Sequence, residues 1–421
     1  MLATSSSGFG VTMRSVFRFV LYCLLISPGF LFAASKRFEV DYHVGFLPAE
    51  GLATVRIEVR PDSGRVVSLD LRMDAERYLD VQGDGEIVRA GERVAWTVPD
   101  DGGELRYRYR IDKRRRDGGF DARITPDWTL VRLDHLVPPL RARLTRDTDA
   151  RARLFVDLPP GWSNVDTQYL RSRDGASFVI VDPRQRFDRP TGWLIAGDVG
   201  TRREQIHGME VSVGAPKGDP MRRNEYIAFI NIVAPEMLAA FDSLPKKMLI
   251  VGAGDPMWRG GLSGPRSLYL HSERPILSEN GTSTLIHELV HVVTRVRGEV
   301  GDDWIAEGLA EFYSIELMRR SGLLTEARAD KAFDWMRNHG KAIKTLHAER
   351  SFGPRTARAV TLFRALDAEI RQRTRDAQSL DDLVRALMAL KRRVATTDLR
   401  GSVQTLTGQP SEVLQTSLLK E

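Results

Sequence analysis

Residues 284–313 read TLIHELVHVVTRVRGEVGDDWIAEGLAEFY, and the rest of the chain can be read outward from them. Leu285, Ile286, Leu289, Val290, Val292 and Val293 supply apolar positions with no proline among them, which predicts a helix. His287 and His291 stand four residues apart on it. A four-residue step turns about 400°, so both imidazoles leave one face about a turn apart. Two nitrogens so placed can share a zinc ion. Glu288, rotated off that pair, would stand beside the metal, where it is the candidate general base.

A catalytic zinc takes a third protein ligand and keeps a further position for water or substrate. Gly298 and Gly301 bracket a break, Asp302 or Asp303 can cap a second helix, and the run from Trp304 to Phe312 reads as helical. Glu307 is the expected carboxylate ligand, and Gly308 would let the two helices approach closely. Glu311, one turn on, is placed to accept an N–H from a liganding imidazole and fix its tautomer. The bland alternative is a chance H-E-x-x-H on an amphipathic helix, and the W-I-A-E-G-L-A-E-F run downstream argues against it. One zinc ion is the expected cofactor, although two histidines and a carboxylate can also hold iron or manganese.

This helix pair resembles that of the gluzincin metallopeptidases, specifically the glycyl aminopeptidase family, whose third ligand lies in a W-x-x-E-G-x-x-x-(Y/F) segment like Trp304 to Phe312. The segments SGLLTE after the second helix and SLDDL near the end are similar to the family too, as is LPPGW before residue 163. The resemblance implies zinc-dependent peptide hydrolysis on a thermolysin-like catalytic domain. Two departures stand out. The family carries Gly-Gly-Leu-Glu-His upstream, with the Glu expected to hold a substrate's amino terminus, where this chain has Gly260, Gly261, Leu262, Ser263 and Gly264. The family also places an oxyanion-stabilising Tyr just before a later helix. Here Thr356 and Arg358 stand in that region, leaving Tyr313, His271, His347 or Arg358 as the alternative donors.

The chain has 421 residues, enough for two or three domains. Its 62 basic residues nearly balance 56 acidic ones, and the run Lys113, Arg114, Arg115, Arg116 reads as a solvated turn, so a nucleic-acid partner is not expected. Arg14 and Arg18, the apolar stretch 19–32 and the small residues Ala33, Ala34 and Ser35 read as a signal peptide over residues 1–34. A periplasmic or secreted protein follows, with an uncleaved membrane anchor as the alternative. The only cysteine, Cys23, lies in that segment, so the mature chain would rely on His and carboxylate ligands.

Residues 35–200 show short alternating runs such as FEVDYHV and RYRYRI between Gly, Pro and Asp turns, which predict a β-sandwich domain. His43 and His135 within it read as surface or satisfied histidines. Residues 201–322 form the expected zinc domain, with a helix over 224–244 broken by Pro235 and an edge strand over 268–270. Helices over 325–338, 359–373 and 380–390 fill a C-terminal helical region, 323–421. The fold class is thus α+β: an N-terminal β-sandwich, a thermolysin-like zinc domain and a helical C-terminal region. The leading function is a zinc metallopeptidase acting on peptide or protein substrates. The alternative is a zinc-fold scaffold that binds without turnover, consistent with the two departures.

Overall fold

The computed structural model describes residues 36–181 and 186–420, and the expected targeting segment lies outside them. The architecture is mixed α/β. Strands, with short helical turns at Pro48–Glu50 and Leu133–Leu136, carry the chain to Pro216, one helix and three more strands follow, and from Thr284 onward the named elements are helices. Among the described residues, no helix is long and apolar enough to cross a membrane.

Period-two alternation builds the first sheet. In the strand Lys36–Leu47, Phe38, Val40, Tyr42, Val44 and Phe46 are buried on one face. It pairs antiparallel with Leu52–Pro61 and parallel with Thr148–Asp157, which sets Val40 between Val59 and Ala152. The strands between Lys36 and Gly197 make three sheets, of six, five and four strands, where a simple sandwich would have two. All three contribute to one core containing Tyr42, Trp96, Val131 and Leu194. The basic run opens a hairpin of the five-stranded sheet, where Arg115 lies over the Trp258 ring at 4.4 Å.

A fourth sheet has the strand order Val199–Ile206, Met209–Pro216, Lys247–Ala253, Ser267–His271, Gly261–Gly264. The expected boundary at residue 200 therefore falls inside a strand. Residues 268–270 are not the edge, as the sequence suggested. The glycine-rich Gly261–Gly264 pairs outside them, and Tyr269 is buried with its hydroxyl donating to the Trp258 carbonyl at 2.7 Å. The inner strand is buried at every position and the glycine-rich outer one at none, but so short and glycine-rich a stretch carries no strand pattern of its own in the sequence.

Helix α1 (Arg223–Phe241) covers this sheet and runs unbroken through Pro235, correcting the expected interruption. Pro235 and Asn231 are exposed, so the carbonyl that loses its donor turns to water, which lowers the cost of the proline. Helices α2 (Thr284–Thr294) and α3 (Asp303–Arg320) follow. Then come α4 (Glu326–Gly340), α5 (Pro354–Thr374), α6 (Leu380–Ala389) and α7 (Thr396–Thr407). Each begins or ends within a few residues of the sequence expectation where one was made, because Thr325 and Ser379 cap α4 and α6 with their side chains.

The N-terminal strands are joined to the fourth sheet in two ways. An apolar cluster of Leu130, Trp193, Ile195, Leu249, Val251 and Tyr269 fills the interface. Beside it, fully buried Asp166 of the strand Asn164–Thr167 accepts from Arg203 at 2.8 Å, Lys247 at 3.0 Å and Ser212. Those three partners sit on successive strands of the fourth sheet. Burial alone would raise the Asp166 pKa, but Lys247 and Arg203 outweigh it and hold the carboxyl below its ordinary value. A depressed carboxylate stabilises the fold above its unfolded pKa and loses that contribution as pH falls through the folded value. Asp166→Asn should therefore cost about 3–5 kcal/mol in urea unfolding at neutral pH, and the gap from the parent protein should narrow on acidification.

Candidate metal centre

Helix α2 starts at Ser283, whose side chain accepts from the Ile286 N–H, and its apolar face, Leu285, Ile286, Leu289, Val290, Val292 and Val293, is buried. Burying that face leaves His287 and His291 pointing the other way, each half-buried. The helix stops where Arg295 takes a left-handed conformation, its N–H returning to the His291 carbonyl.

Helix α3 brings in Glu307. Its position is set by contacts that the sequence does not announce. Trp304 is fully buried and stacks on Phe363 of α5, with ring centroids 5.6 Å apart. A Cβ on Gly308 would come within 2.5 Å of the Ala359 Cβ, so the glycine admits α5 against α3. That corrects the expectation that Gly308 brings the two zinc helices together. Asp302 occupies the N-cap position without capping α3. Its carboxylate instead accepts from the Thr396 backbone at 2.8 Å and hydroxyl at 2.7 Å at the start of α7.

Three ligand atoms converge. His287 Nε2 lies 3.3 Å from Glu307 Oε2, His291 Nε2 lies 3.4 Å from Glu307 Oε1, and the two Nε2 atoms are 3.2 Å apart. Atoms at zinc–ligand distance around a tetrahedral ion stand about 3.3–3.4 Å from one another. The three residues thus fit one such cation with a coordination place to spare. His287 Nδ1 meets Glu311 Oε2 at 2.7 Å, so Nδ1 carries the proton that it donates, and Nε2 is the atom that would give its lone pair to a bound cation. Burial disfavours a charged His287, yet hydrogen bonds with Glu307 and Glu311 prevail and lift its pKa well above the ordinary imidazole value. Burial likewise works against the Glu307 carboxylate, but the two imidazoles hold its pKa well below the ordinary range.

Glu288 is buried, and its Cγ lies against the edge strand: a Cβ on Gly261 would approach it to 3.4 Å. The closer approaches of such a Cβ, 2.8 Å to both Leu270 and Thr284, show that Gly261 lets the edge strand close on α2, with Glu288 beside the seam. A cavity of about 260 Å³ adjoins His291 and Glu307 and is bounded by Ser263, Gly264 and Pro265. Trp193 of the N-terminal region steadies this edge by donating its indole N–H to the Leu262 carbonyl at 3.0 Å.

Other sequence candidates lie elsewhere. The Tyr313 hydroxyl is buried and bonded to Asp381 at 2.7 Å. His271 is buried with Nε2 3.3 Å from Asp255, in an orientation that makes no hydrogen bond. His347 faces Asp302 at 3.3 Å. Arg358 has a buried Nε without a hydrogen-bond partner among the described residues. His135 is not satisfied either: its Nδ1 is buried without a partner, and burial pushes its pKa down to about 4. Asp41, His43 and Glu58 form a second group of ligand type, but Arg60 and Arg153 already neutralise Asp41.

No family model matches the chain, and no curated protein is similar to it in sequence. Solved structures are similar. An aminopeptidase N family protein from Idiomarina loihiensis superposes with a TM-score of 0.60 at 14% identity, covering 83% of this chain and 70% of that one. An M1 zinc metallopeptidase from Deinococcus radiodurans gives 0.59 at 16% identity, covering 91% and 92%. Leukotriene A4 hydrolase from Saccharomyces cerevisiae gives 0.56 at 13% identity, covering 92% and 68%. The chain has the fold of these proteins. Within that fold, Glu311→Gln should weaken zinc affinity about 10–100-fold, measured by competition with a chelator, while leaving the unfolding midpoint of the metal-free protein nearly unchanged.

Proposed function

We propose that this protein is a zinc-dependent metallopeptidase, exported by its N-terminal segment to the periplasm or beyond. The observation that carries the reading is the tetrahedral spacing of the His287, His291 and Glu307 ligand atoms with Glu288 set between them and the sheet edge. The fold shared with zinc peptidases supports it. His287, His291 and Glu307 would hold one zinc ion, with Glu311 orienting His287. When bound, zinc supplies a Lewis acid for the scissile carbonyl and lowers the pKa of a water molecule.

The remaining chemistry belongs to the chain. Glu288 takes the proton of the attacking water and passes it to the departing amine, which a carboxylate on the substrate side of α2 can do without moving far. An extended peptide lies between α2 and the Gly261–Gly264 edge, where the absence of bulky side chains lets it come close. Ser263 stands where the glycyl aminopeptidase resemblance expects a carboxylate for a free amino terminus, which favours cleavage within a chain over removal of its first residue. The thermolysin-like lineage of the catalytic region belongs to the same proposal.

A scaffold that keeps the ion without turnover is the second reading. It draws on Tyr313 being bonded to Asp381 and on His271 and His347 facing Asp255 and Asp302 instead of the ligands, so that none of them is poised as an oxyanion donor. Glu288 weighs against it, since a structural ion has no need of a buried carboxylate beside its ligands. Purified mature protein should carry one zinc by elemental analysis and cleave a mixed peptide library in a chelator-sensitive way. Glu288→Gln should retain the metal and lose at least about a hundredfold in kcat. Unchanged turnover in that variant would remove Glu288 from the mechanism, and peptides with blocked amino termini separate internal from terminal cleavage.

A further inference from the structure

A second cavity, of about 450 Å³, opens between the N-terminal strands and the zinc region, and the chemistry above leaves it unused. Strand periodicity supplies one wall. Phe178 and Ile180 are buried in the strand Phe178–Ile180, so Val179 faces out, and the alternation carries Val181 to the same side. The Val179 N–H donates to the Leu170 carbonyl at 2.9 Å, which sets Leu170 beside it. Leu170, Val179 and Val181 keep 42%, 42% and 51% of their surface exposed, and an exposed apolar patch of this kind marks a binding surface.

The other wall comes from the zinc region, where Leu244, Pro245 and the α2 residues Val292 and Val293 line the trough. Arg266 fastens the two walls together. Held left-handed at φ 49° two residues past the edge strand, it donates from its guanidinium to the Val181 carbonyl at 3.0 Å and lies 5.3 Å from the Tyr169 ring centre. Of the polar residues there, Lys247 is taken up by Asp166 at 3.0 Å and Glu210 at 3.2 Å, and Gln168 donates to the Thr191 carbonyl. Pro265 and Val292 line both this cavity and the one beside His291 and Glu307, so the two adjoin.

We infer that this trough is a substrate subsite that selects a bulky apolar side chain about two to four residues from the scissile bond, the reach of an extended chain past so short an edge. The inference rests on the peptidase reading and adds a substrate class to it. A peptide laid along Gly261–Gly264 loses its main-chain partner at Pro265, which has no N–H to give. From there side-chain burial has to hold it, and the apolar trough begins at that residue. Ser263 puts no carboxylate at this rim to hold an amino terminus, so a longer chain can run on past the edge. Leu170 and Val179 are the specificity-determining residues, and both are exposed enough to change without opening the core.

The test uses zinc-loaded mature protein and matched peptides with Leu or Ala at the second, third or fourth residue on either side of the cut. The Leu peptide should win in kcat/KM by about tenfold at one of these positions, on one side only, and the advantage should persist at high salt. Val179→Asp should bring the ratio close to one, and Leu170→Gln should act alike. Val88→Asp, a like change at an exposed valine outside the trough, should leave the ratio as it is. Equal cleavage at every position, or a ratio that Val179→Asp and Leu170→Gln leave untouched, overturns the inference. If no peptide is cleaved, the peptidase reading fails on its own, and anisotropy titration of the same peptides onto zinc-loaded Glu288→Gln protein decides the trough. Tighter binding of a Leu peptide that Val179→Asp abolishes upholds it. Equal binding overturns it, and if Val179→Asp then dissolves a dimer, or releases a bound peptide of residues 19–32, the face belongs to a second copy or to the chain's own leading segment.

Discussion

Three atoms of ligand type meet at separations that one small cation would fit, and most of the C-terminal half of the molecule holds them there. Two of them come at no cost in tertiary structure, because any helix puts residues four apart on one side. The third does not. Glu307 reaches the imidazoles only if α3 sits at the right height and angle, and that is decided by Trp304 on Phe363, by the gap that Gly308 leaves for Ala359, and by Asp302 tied to the start of α7. A carboxylate ligand is short, so small errors in helix position would separate it from its partners. The later helices are part of the metal centre in this physical sense, even though none of the three ligand residues comes from them.

The N-terminal strands serve the same geometry from the other side. Trp193 fixes the Leu262 carbonyl, and the apolar cluster around Leu249, Val251 and Tyr269 presses the five-stranded sheet onto the fourth. Asp166 adds a buried, hydrogen-bonded charge group in that interface. Such a group tolerates one arrangement only, because a shift leaves a cation or a carboxylate without its partner. Burial of apolar area would allow the sheets to slide; the charged centre specifies how they meet. The edge strand is thereby held from both directions, paired with Ser267–His271 along one side and bonded to Trp193 near its middle.

Much of the site was legible in the sequence because it is written in local periodicity. The spacing of His287 and His291, the helical reading of Trp304 to Phe312 and the place of Glu311 one turn past Glu307 all follow from helix geometry, and the atoms lie together as that geometry implies. What failed depended on which elements meet. Residues 268–270 and 261–264 are both short and partly apolar, and nothing local says which of them lies outermost. Pro235 ended the helix on paper because the sequence does not tell that its lost bond faces water. Gly308 signalled close approach correctly but not by whom. Tyr313 looked available because a hydroxyl two turns from Glu307 has no visible reason to point at Asp381. The clamp between the loop after α2 and the segment at 394 is hidden for the same reason: Arg297 and Val394 are far apart in sequence and are joined by a main-chain bond that no side-chain pattern encodes.

That clamp also orders events during synthesis. The ligands are all translated by the time α3 is complete, yet Arg393 beside their cavity, and the α5 and α7 surfaces that seat α3, emerge only afterwards. A chain emerging from the ribosome therefore lacks the surfaces that align its histidines with Glu307 until α5 and α7 have been made. Alignment of the three ligand atoms is thus coupled to the folding of helices that come after them in the chain.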